Sequence, residues 1–528
     1  MKRNSRFCRG ESPCSIDNRG AYSYNFLMTR VRNRLPASAN RTAKCTAGRP
    51  AHCFGLLPGT VFSAAGLFLF LLPALFLVAA EIRGAPRRVY PAPVTFETGK
   101  QPLREIHVSA GGDDDLGDGS LSMPYGSLDR AASGAGPGTA IRIHAGTYPV
   151  RFNVQDLAGT AEAPIWIGGA PGEARPVIEG GSEGLHLTRV RFLVIHGLEI
   201  RYTADNGINA DDGGEYSNPE ASHDLVFRDL LVHHVGGDGN QDCLKLSGIN
   251  RYTVWNSEFA FCGGGGSGSG IDHVGCHHGR IAGNYFHDTS GNAVQAKGGS
   301  EDIEIRANRM VDCGERALNI GGSTGFAYFR PPLSATQPNF EARDIRVIAN
   351  LIQGSIAPLA FVGAVESSAV HNTVIHPTNW LIRILQETVT TGGYTFSSCA
   401  GNRVVNNLFY FDRSDLSTYV NIGPDTSPST FFFSHNLWYA YDNPARSQPV
   451  LPVSETGGIS GQNPLLVDPA GGDGHLQSGS PAIGHGTPEA GVVFDMDGRW
   501  YNLPPSIGAF EGNELTPRLV YLPLLLWR

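Results

Sequence analysis

Between Thr203 and Gly322 the chain repeats one short pattern of apolar and polar positions. Each copy holds three short apolar segments, joined by an Asn-like turn and a Gly-rich corner. Because strand side chains alternate between two faces, stacking the third segments gives an inward apolar column beside an outward polar column. The pattern predicts stacked strands with the apolar column Ile208, Leu244, Ile271, Val294 and Leu318 and the polar column Asn209, Lys245, Asp272, Gln295 and Asn319.

A second landmark is a residue, usually Asn, that stands between two apolar segments. Stacked Asn side chains hydrogen-bond along an axis and satisfy turn backbone groups. Repeats of this size are typical of solenoids, so we predict an all-β parallel β-helix with an Asn ladder. The ladder positions lie 22 to 42 residues apart at Asn284, Asn308, Asn350, Asn372, Asn407 and Asn436, with Gly197, Asp229 and Ser257 in the same place earlier.

Composition divides the chain into seven segments. The apolar run Val61–Ala80 has Ser63 as its one polar residue and is long enough to span a bilayer, so we expect export by a cleaved signal peptide or an uncleaved anchor. The basic leader before it is unusually long, which leaves a misassigned start open. The predicted segments are a basic, disordered leader (1–57), the signal or anchor (58–80), a Pro-rich linker (81–103), an N-terminal cap (104–149), the β-helix (150–467), a closing segment (468–514) and an apolar tail (515–528).

Charge and cysteine usage narrow the function. Without residues 1–57 the chain keeps 30 basic and 47 acidic residues, a balance that argues against nucleic-acid binding. The same acidic balance argues weakly against an acidic polymer as substrate, unless a metal ion or local basic residues offset the repulsion. Five of the nine cysteines follow the apolar run, without a CxxC or zinc pattern. Cys262 and Cys313 share a repeat position but lie two coils apart, so we expect all five to be buried free thiols.

Several acidic and histidine groups admit two interpretations. The carboxylates of one N-terminal loop and of Asp495 and Asp497 either bind a cation or cap turns, and we favour the turn role. For the histidines, the two interpretations are a catalytic base or metal site on one side and solvated residues at corners of the coil on the other. The loop carboxylates are Asp113, Asp114, Asp115 and Asp118, and the histidines are His233, His234, His277, His278 and His287.

The order of these parts resembles the secreted bacterial right-handed parallel β-helix proteins. The phrase HVSxxGxD…PYxSL…GPGTxIxIxAGTY begins at His107, and GSPAI…DxDGR…IGAFE ends at Glu511. With the coils, the resemblance covers residues 104–512. It implies a pectate lyase-like, single-stranded right-handed solenoid with an N-terminal cap and a C-terminal closing segment.

A narrower resemblance lies at Gly236-Gly-Asp-Gly-Asn240, Leu244-Lys245-Leu246 and Gly270-Ile271-Asp272. This region is similar to the catalytic-lysine region of polysaccharide lyase family 9, the calcium-dependent pectate lyases. The family's D-D-x-x-D calcium cluster corresponds here to a coil with two amides. The resemblance implies a calcium site, and the candidate ligands are Glu183, Asp205, Asn206 and Asn209, with Asp211, Asp212, Asp238 and Asp242 able to restore lost charge.

The implied chemistry is β-elimination on a uronate polymer. Calcium would bind the carboxylate beside the C5 proton, and Lys245 would take that proton as a neutral amine. In the predicted stack, Asp272 adjoins Lys245 and would raise its pKa. A plain ion pair between Lys245 and Asp272 is therefore the alternative interpretation.

Lys297 is the other lysine of this face. Its setting, Val294-Gln-Ala-Lys297-Gly, resembles the lysine strand of the family 6 alginate and chondroitin lyases. Those enzymes carry an arginine on the next coil, where this chain has Ile320. Arg316 lies nearby but out of register.

Three functions follow as hypotheses. The first is an extracellular, monomeric carbohydrate-active enzyme, a calcium-assisted polysaccharide lyase that acts on an acidic polysaccharide with Lys245 as base. The second is a non-catalytic glycan-binding or adhesion protein, for which Trp255 and Trp380 offer few outward aromatic rings. The third is a glycoside hydrolase that pairs Asp272 with Asp242.

Overall fold

The computed structural model of the protein describes residues 91–149, 152–237 and 239–512. The predicted leader, the signal or anchor, residues 81–90 of the linker, residues 150–151, Asp238 and residues 513–528 with the tail lie outside these residues. Within the described ranges, no helix combines the length and apolar content needed to cross a membrane.

The described chain winds through three parallel sheets, and each full coil adds one strand to each sheet. Sheet 1 contains β1 (Arg104–Val108), β2 (Thr139–Ile143), β5 (Ile165–Gly169), β8 (Arg191–His196), β11 (Ser222–Arg228), β14 (Ile249–Trp255), β17 (His277–Ala282), β20 (Ser300–Arg306), β23 (Ala342–Ile348), β26 (Ala364–Val365), β27 (Ser368–Val370), β30 (Arg403–Val405) and β33 (Phe432–Ser434).

Sheet 2 contains β3 (Thr147–Tyr148), β6 (Val177–Glu179), β9 (Glu199–Arg201), β12 (Leu231–Val235), β15 (Glu258–Cys262), β18 (Tyr285–His287), β21 (Arg309–Val311), β24 (Leu351–Gln353), β28 (Thr373–Ile375), β31 (Leu408–Phe411), β34 (Leu437–Ala440) and β35 (Ile459–Ser460). Sheet 3 contains β4 (Phe152–Gln155), β7 (Leu185–Thr188), β10 (Ile208–Asp211), β13 (Leu244–Ser247), β16 (Ser269–Val274), β19 (Asn292–Lys297), β22 (Arg316–Gly321), β25 (Leu359–Val362), β29 (Ile382–Leu385) and β32 (Val420–Ile422).

The remaining elements are short. The hairpin β36 (Leu466–Asp468) and β37 (Asp473–Leu476) follows the coils and is antiparallel. Helix α1 (Leu128–Ser133) lies in the predicted cap, where the Ser127 side chain accepts a hydrogen bond from the Arg130 amide. Single 3₁₀ turns occur at Phe326–Tyr328, Arg413–Asp415, Pro428–Thr430 and Pro444–Arg446. This architecture confirms the predicted parallel β-helix.

The apolar columns fill the interior of the coil. In sheet 3, Ile208, Leu244 and Ile271 are in register and fully buried. Burial of each such side chain contributes roughly 1.5–3 kcal/mol. The stacked core therefore holds successive coils in one register, and that register fixes which polar residues adjoin on the outer face.

The Asn ladder occupies the turns between sheets 1 and 2 from Asn284 to Asn436. Asn350 shows the pattern: its Oδ1 accepts from the Asn308 amide at 2.9 Å, and its Nδ2 donates to the Ile305 carbonyl and the Asn372 Oδ1. The same bonds run from Asn284 to Asn436. This confirms the predicted ladder and satisfies buried turn amides that have no strand partner.

The prediction of five free cysteines is wrong for two of them. Cys243 and Cys262 form a disulfide with Cα atoms 5.4 Å apart, whereas Cys276, Cys313 and Cys399 are free and buried. Cys243 enters sheet 3, and Cys262 ends β15 of sheet 2. The bridge therefore joins different positions of neighbouring coils, which a comparison of equivalent repeat positions does not reveal.

Part of the predicted linker lies against the solenoid. Glu97 accepts hydrogen bonds from Arg228 at 2.8 Å and from the Trp166 indole at 3.0 Å. The Phe96 ring meets the Phe192 ring edge-on at 5.6 Å. These contacts place residues 96–97 on the outer face of sheet 1.

Candidate functional site

The outward polar column of sheet 3 is in the predicted register. Asn209 pairs with Lys245, Lys245 with Asp272, Asp272 with Gln295 and Gln295 with Asn319. His186 of β7 extends the column by one coil, because it pairs with Asn209. The column gathers a histidine, a lysine, a carboxylate and amides within adjacent strands.

Two lysines meet at one carboxylate in this column. The ammonium of Lys245 contacts Asp272 Oδ2, and the Lys297 ammonium lies 3.3 Å from the same oxygen. Lys245 also lies 3.2 Å from Asp242 Oδ2. The carboxylates of Asp242 and Asp272 are fully buried, whereas the side chains of Lys245 and Lys297 are 17% and 11% exposed. The lysines thus cover the carboxylates and face the solvent.

Backbone and amide groups fix the cluster from below. Asp242 Oδ1 accepts from the Ser269 amide at 2.7 Å, and the Asp242 amide donates to Asn206 Oδ1 at 2.8 Å. Lys297 donates to Gln295 Oε1 at 3.1 Å. Among the described residues, Asp272 Oδ1 is buried without a hydrogen-bond partner. The lysines are therefore the groups that compensate Asp272, since an unpaired buried carboxylate is costly.

The cluster keeps Lys245 protonated. Burial alone would lower the pKa of Lys245, but Asp272 and then Asp242 outweigh it and raise the pKa well above the ordinary lysine value. Burial opposes ionisation of Asp272 as well, yet Lys245 and Lys297 hold the pKa of Asp272 below its usual range. Burial raises the pKa of Asp242. The expected ion pair between Lys245 and Asp272 is therefore present.

A histidine links two of the predicted calcium ligands. His186 Nδ1 lies 2.9 Å from Glu183 Oε2, and His186 Nε2 lies 2.7 Å from Asp211 Oδ2. Hydrogen bonds to Asp211 and Glu183 raise the pKa of His186 to about 9, although partial burial works in the opposite direction. Asn209 Nδ2 donates to Glu183 Oε1 at 3.3 Å.

Sequence reasoning missed His186. The signal was present, because Leu185-His186-Leu187 has the apolar–polar–apolar alternation of the other third segments. His186 lies one coil before Thr203, where the repeated pattern begins.

The predicted ligands fit a calcium ion poorly. Calcium takes six to eight oxygen ligands, but Glu183 and Asp211 are bridged by an imidazole ring. Asn206 Oδ1 is used by the Asp242 amide, and Asp242 lies beneath Lys245. Asp205 is exposed. In the described ranges, no three His, Cys, Asp or Glu side chains are grouped as metal ligands.

Arg316 does not join the lysines. It pairs in register with Asn292. Its guanidinium lies 2.6 Å from Glu387 Oε1 and donates to Asn319 Oδ1 at 3.3 Å. Arg316 therefore stays out of register, as the sequence predicts, and its charge is used by Glu387.

A cleft of about 600 Å³ opens over the lysines. One wall is a strap, residues 322–331, that follows β22 and runs back along the ends of the sheet 3 strands. Arg330 anchors the strap through two hydrogen bonds to Asp212, at 2.6 and 3.1 Å, and its guanidinium lies 4.2 Å from the centre of the Tyr216 ring. Tyr328 of the strap lines the cleft and is 58% exposed.

The other acidic and histidine candidates have structural partners. Asp113, Asp114 and Asp118 accept loop amides, and Asp495 accepts the amides of Asp497, Arg499 and Glu511, as expected of turn carboxylates. The corner histidines divide between two sheets: His277 and His278 lie on β17 of sheet 1, whereas His233 and His234 lie on β12 and His287 on β18 of sheet 2.

The hydrolase pair is not placed for attack on a glycosidic bond. Asp242 and Asp272 are both fully buried and share the Lys245 ammonium between them. A glycosidase needs an acid and a second carboxylate that flank the bond to be cut. This geometry favours the lysines as the groups that meet a ligand.

Comparisons with known proteins identify similar solved structures but no relative by sequence. No protein-family model matches the chain, and no curated protein matches it. Pectate lyase Pel9A is similar over 79% of this chain and 98% of its own, with 16% identity and a TM-score of 0.45. The alginate lyase from Paenibacillus sp. str. FPU-7 is similar over 61% and 97%, with 15% identity and a TM-score of 0.38. The A-module of mannuronan C-5 epimerase AlgE6 from Azotobacter vinelandii is similar over 63% and 93%, with 16% identity and a TM-score of 0.42.

Proposed function

We propose that this protein is an exported carbohydrate-active enzyme, a polysaccharide lyase that acts on a uronate polymer in the cleft over Lys245 and Lys297. One observation carries the proposal. The chain has 41 lysines and arginines, of which only five are lysines, and the only two after Lys100 meet at Asp272 and line this cleft.

Lysine differs from arginine in the property that a lyase needs. An arginine stays protonated in proteins, whereas a lysine can release and take a proton. Other ion pairs of the solenoid use arginine, such as Arg228 with Glu97 and Arg330 with Asp212. Lysine at these two positions therefore supports proton transfer rather than charge alone.

The elimination assigns one step to each lysine. The Lys245 amine takes the C5 proton of a uronate, the C5–H electrons form the C4–C5 double bond, and the C4–O bond breaks. The departing oxygen gains a proton from water or from the new ammonium. The Lys297 ammonium offsets negative charge that develops on the uronate carboxylate.

Asp272 has two opposite effects on Lys245 as a base. The raised pKa leaves few neutral amines at pH 7, but the same carboxylate stabilises the ammonium that proton abstraction creates. We therefore expect the rate to rise with pH in the alkaline range. Calcium, which the resemblance implies, would have to displace His186, so the scheme assigns calcium no step.

Two further features support export. The apolar run at 58–80 has the length of a signal or anchor, and disulfides such as Cys243–Cys262 persist mainly in oxidising compartments. We expect the protein outside the cytoplasm, as a monomer.

The second candidate function is glycan binding without catalysis. The ion pairs of Lys245 favour it, because a lysine held by two carboxylates also serves as a fixed charge. Binding and cleavage are separated by experiment.

The test incubates the purified protein with polyuronates and glycosaminoglycans and follows the ultraviolet absorbance of unsaturated sugar ends. We expect signal from the wild type, its loss in Lys245→Ala, and no change in Lys100→Ala, whose lysine only binds the carbonyls of Phe96 and Ala161. Signal that survives in Lys245→Ala moves the base to Lys297. No signal on any polymer, with retained binding, establishes the non-catalytic function.

A further inference from the structure

His186 lies between two of the predicted calcium ligands. Both ring nitrogens face carboxylate oxygens, at 2.9 Å to Glu183 and 2.7 Å to Asp211. The imidazole ring therefore fills the space between these two carboxylates.

This ring lies where the resemblance places calcium ligands. His186 pairs in register with Asn209, and Asn209 belongs to the coil that corresponds to the calcium cluster. Asn209 also donates to Glu183. Glu183, on the coil of His186, and Asp211, on the coil before Lys245, are thus both engaged by His186.

We propose that His186 takes the place of the calcium ion, so that this cleft works without calcium. The inference rests on the proposed function for its reaction, but the site itself stands on Glu183, His186 and Asp211.

The replacement is consistent with the donors present. Two amides, Asn206 and Asn209, stand where the family has carboxylates, which weakens attraction for a divalent ion. An imidazole ring has two nitrogens and so needs only two oxygen partners, fewer than calcium's six to eight oxygens. Glu183 and Asp211 supply that smaller number.

The experiment measures calcium binding to the full chain, with calcium chloride alone as the ligand. Titration calorimetry and thermal unfolding are run with calcium and with chelator. We expect neither calcium heat from the cleft nor a calcium-dependent change in Tm for the wild type. We expect His186→Ala to gain calcium affinity about tenfold or more above wild type and a Tm rise of about 2 °C or more in calcium.

The matched control is His287→Ala. His287 also lies between two carboxylates, at 2.8 Å from Asp288 and 3.1 Å from Glu258, but far along the chain from the proposed position and on sheet 2. We expect it to gain no calcium affinity. A gain in both variants would mean that any freed pair of carboxylates suffices, and the specific inference would fall.

Two other results overturn the inference. One is a wild type that binds calcium in the cleft and loses Tm in chelator. The other is a folded His186→Ala that gains no calcium binding. If His186→Ala does not fold, His186→Gln and the wild-type titration still decide. Failure of the lyase proposal would appear separately, as the absence of unsaturated sugar ends in the polymer assay. The calcium titration uses no polymer, so its result does not depend on lyase activity.

Discussion

At the scale of single residues, Lys245→Arg separates charge from proton transfer. Arginine keeps the positive charge beside Asp272 but does not release its proton at accessible pH. We expect polymer affinity within about threefold of wild type and a cleavage rate lower by roughly 10²–10⁴, the usual contribution of a general base. Affinity is measured by calorimetry on a uronate oligomer and the rate by ultraviolet absorbance. Unchanged cleavage would remove Lys245 from the reaction.

His186 gives the fold a pH dependence of known sign. Its pKa is raised from 6.5 to about 9 in the fold, so its contribution to stability is complete below pH 6.5 and is lost as the pH rises through 9. We expect the free energy of unfolding to fall by on the order of 1–3 kcal/mol across that window. Denaturant titrations at several pH values measure it, and His186→Gln should lack this part of the slope. Parallel pH curves for the two proteins would contradict the assignment.

At the scale of elements, the Asn ladder accounts for the turn between sheets 1 and 2. Asn350→Ala leaves the buried Asn308 amide without its acceptor, removes one of the two acceptors of the Asn308 side chain, and takes the Asn350 donor from the Ile305 carbonyl. Unsatisfied buried groups cost about 1–3 kcal/mol each, so we expect a loss of roughly 3 kcal/mol or more. Chemical denaturation measures it against Asn443→Ala, since Asn443 is exposed and its side chain caps no helix. Equal effects in both variants would deny the ladder its role.

The strap depends on one buried ion pair. Gly248 and Gly275, both with left-handed φ, leave room for it, because a Cβ on Gly275 would lie 2.4 Å from Arg330 Cβ. Asp212→Asn removes the partner of a buried guanidinium, and we expect a loss of about 3–5 kcal/mol, with faster proteolysis inside residues 322–331. The control is Asp344→Asn, whose partner Arg346 is half-exposed, with a loss below about 1 kcal/mol. An intact strap in Asp212→Asn would refute the anchor.

At the scale of the whole molecule, the sequence predicts the features that depend on local alternation of apolar and polar residues. The columns of sheet 3 and the ladder followed from period-two patterning and repeat spacing, so Lys245 and Asp272 were placed side by side correctly. Contacts between different repeat positions of neighbouring coils could not be predicted from the sequence, because the repeat pattern aligns only equivalent positions. The Cys243–Cys262 disulfide and the Arg330–Asp212 pair, 118 residues apart, belong to that class.

The calcium hypothesis shows the same limit. Glu183, Asn209 and Asp211 were expected to point at one ion, and they do lie around one centre, but His186 is at that centre. A resemblance carries over matching positions only, and His186 is not among the positions that were matched. The register of β7 against β10 shows that His186 adjoins Asn209.

The net charge of the molecule leads to a prediction about salt. The chain carries a formal charge of −8 and the segment after residue 57 is more acidic still, so the solenoid repels a polyuronate while the cleft lysines attract it locally. Salt screens the long-range repulsion first, because exposed charges beyond about 10 Å are screened at 0.1 M. We therefore expect affinity for a uronate polymer to rise as salt is first added and to fall only when the lysine contacts weaken.

The measurement is a titration of the Lys245→Arg protein with a uronate polymer from low to physiological ionic strength, since this variant keeps the charge without consuming the ligand. A neutral polymer is the control and should show little salt dependence. A steady fall in affinity from the lowest salt would mean that the local lysine field outweighs the body of the protein. The substrate would then be drawn in by attraction at a distance, and the acidic surface would have no part in selecting it.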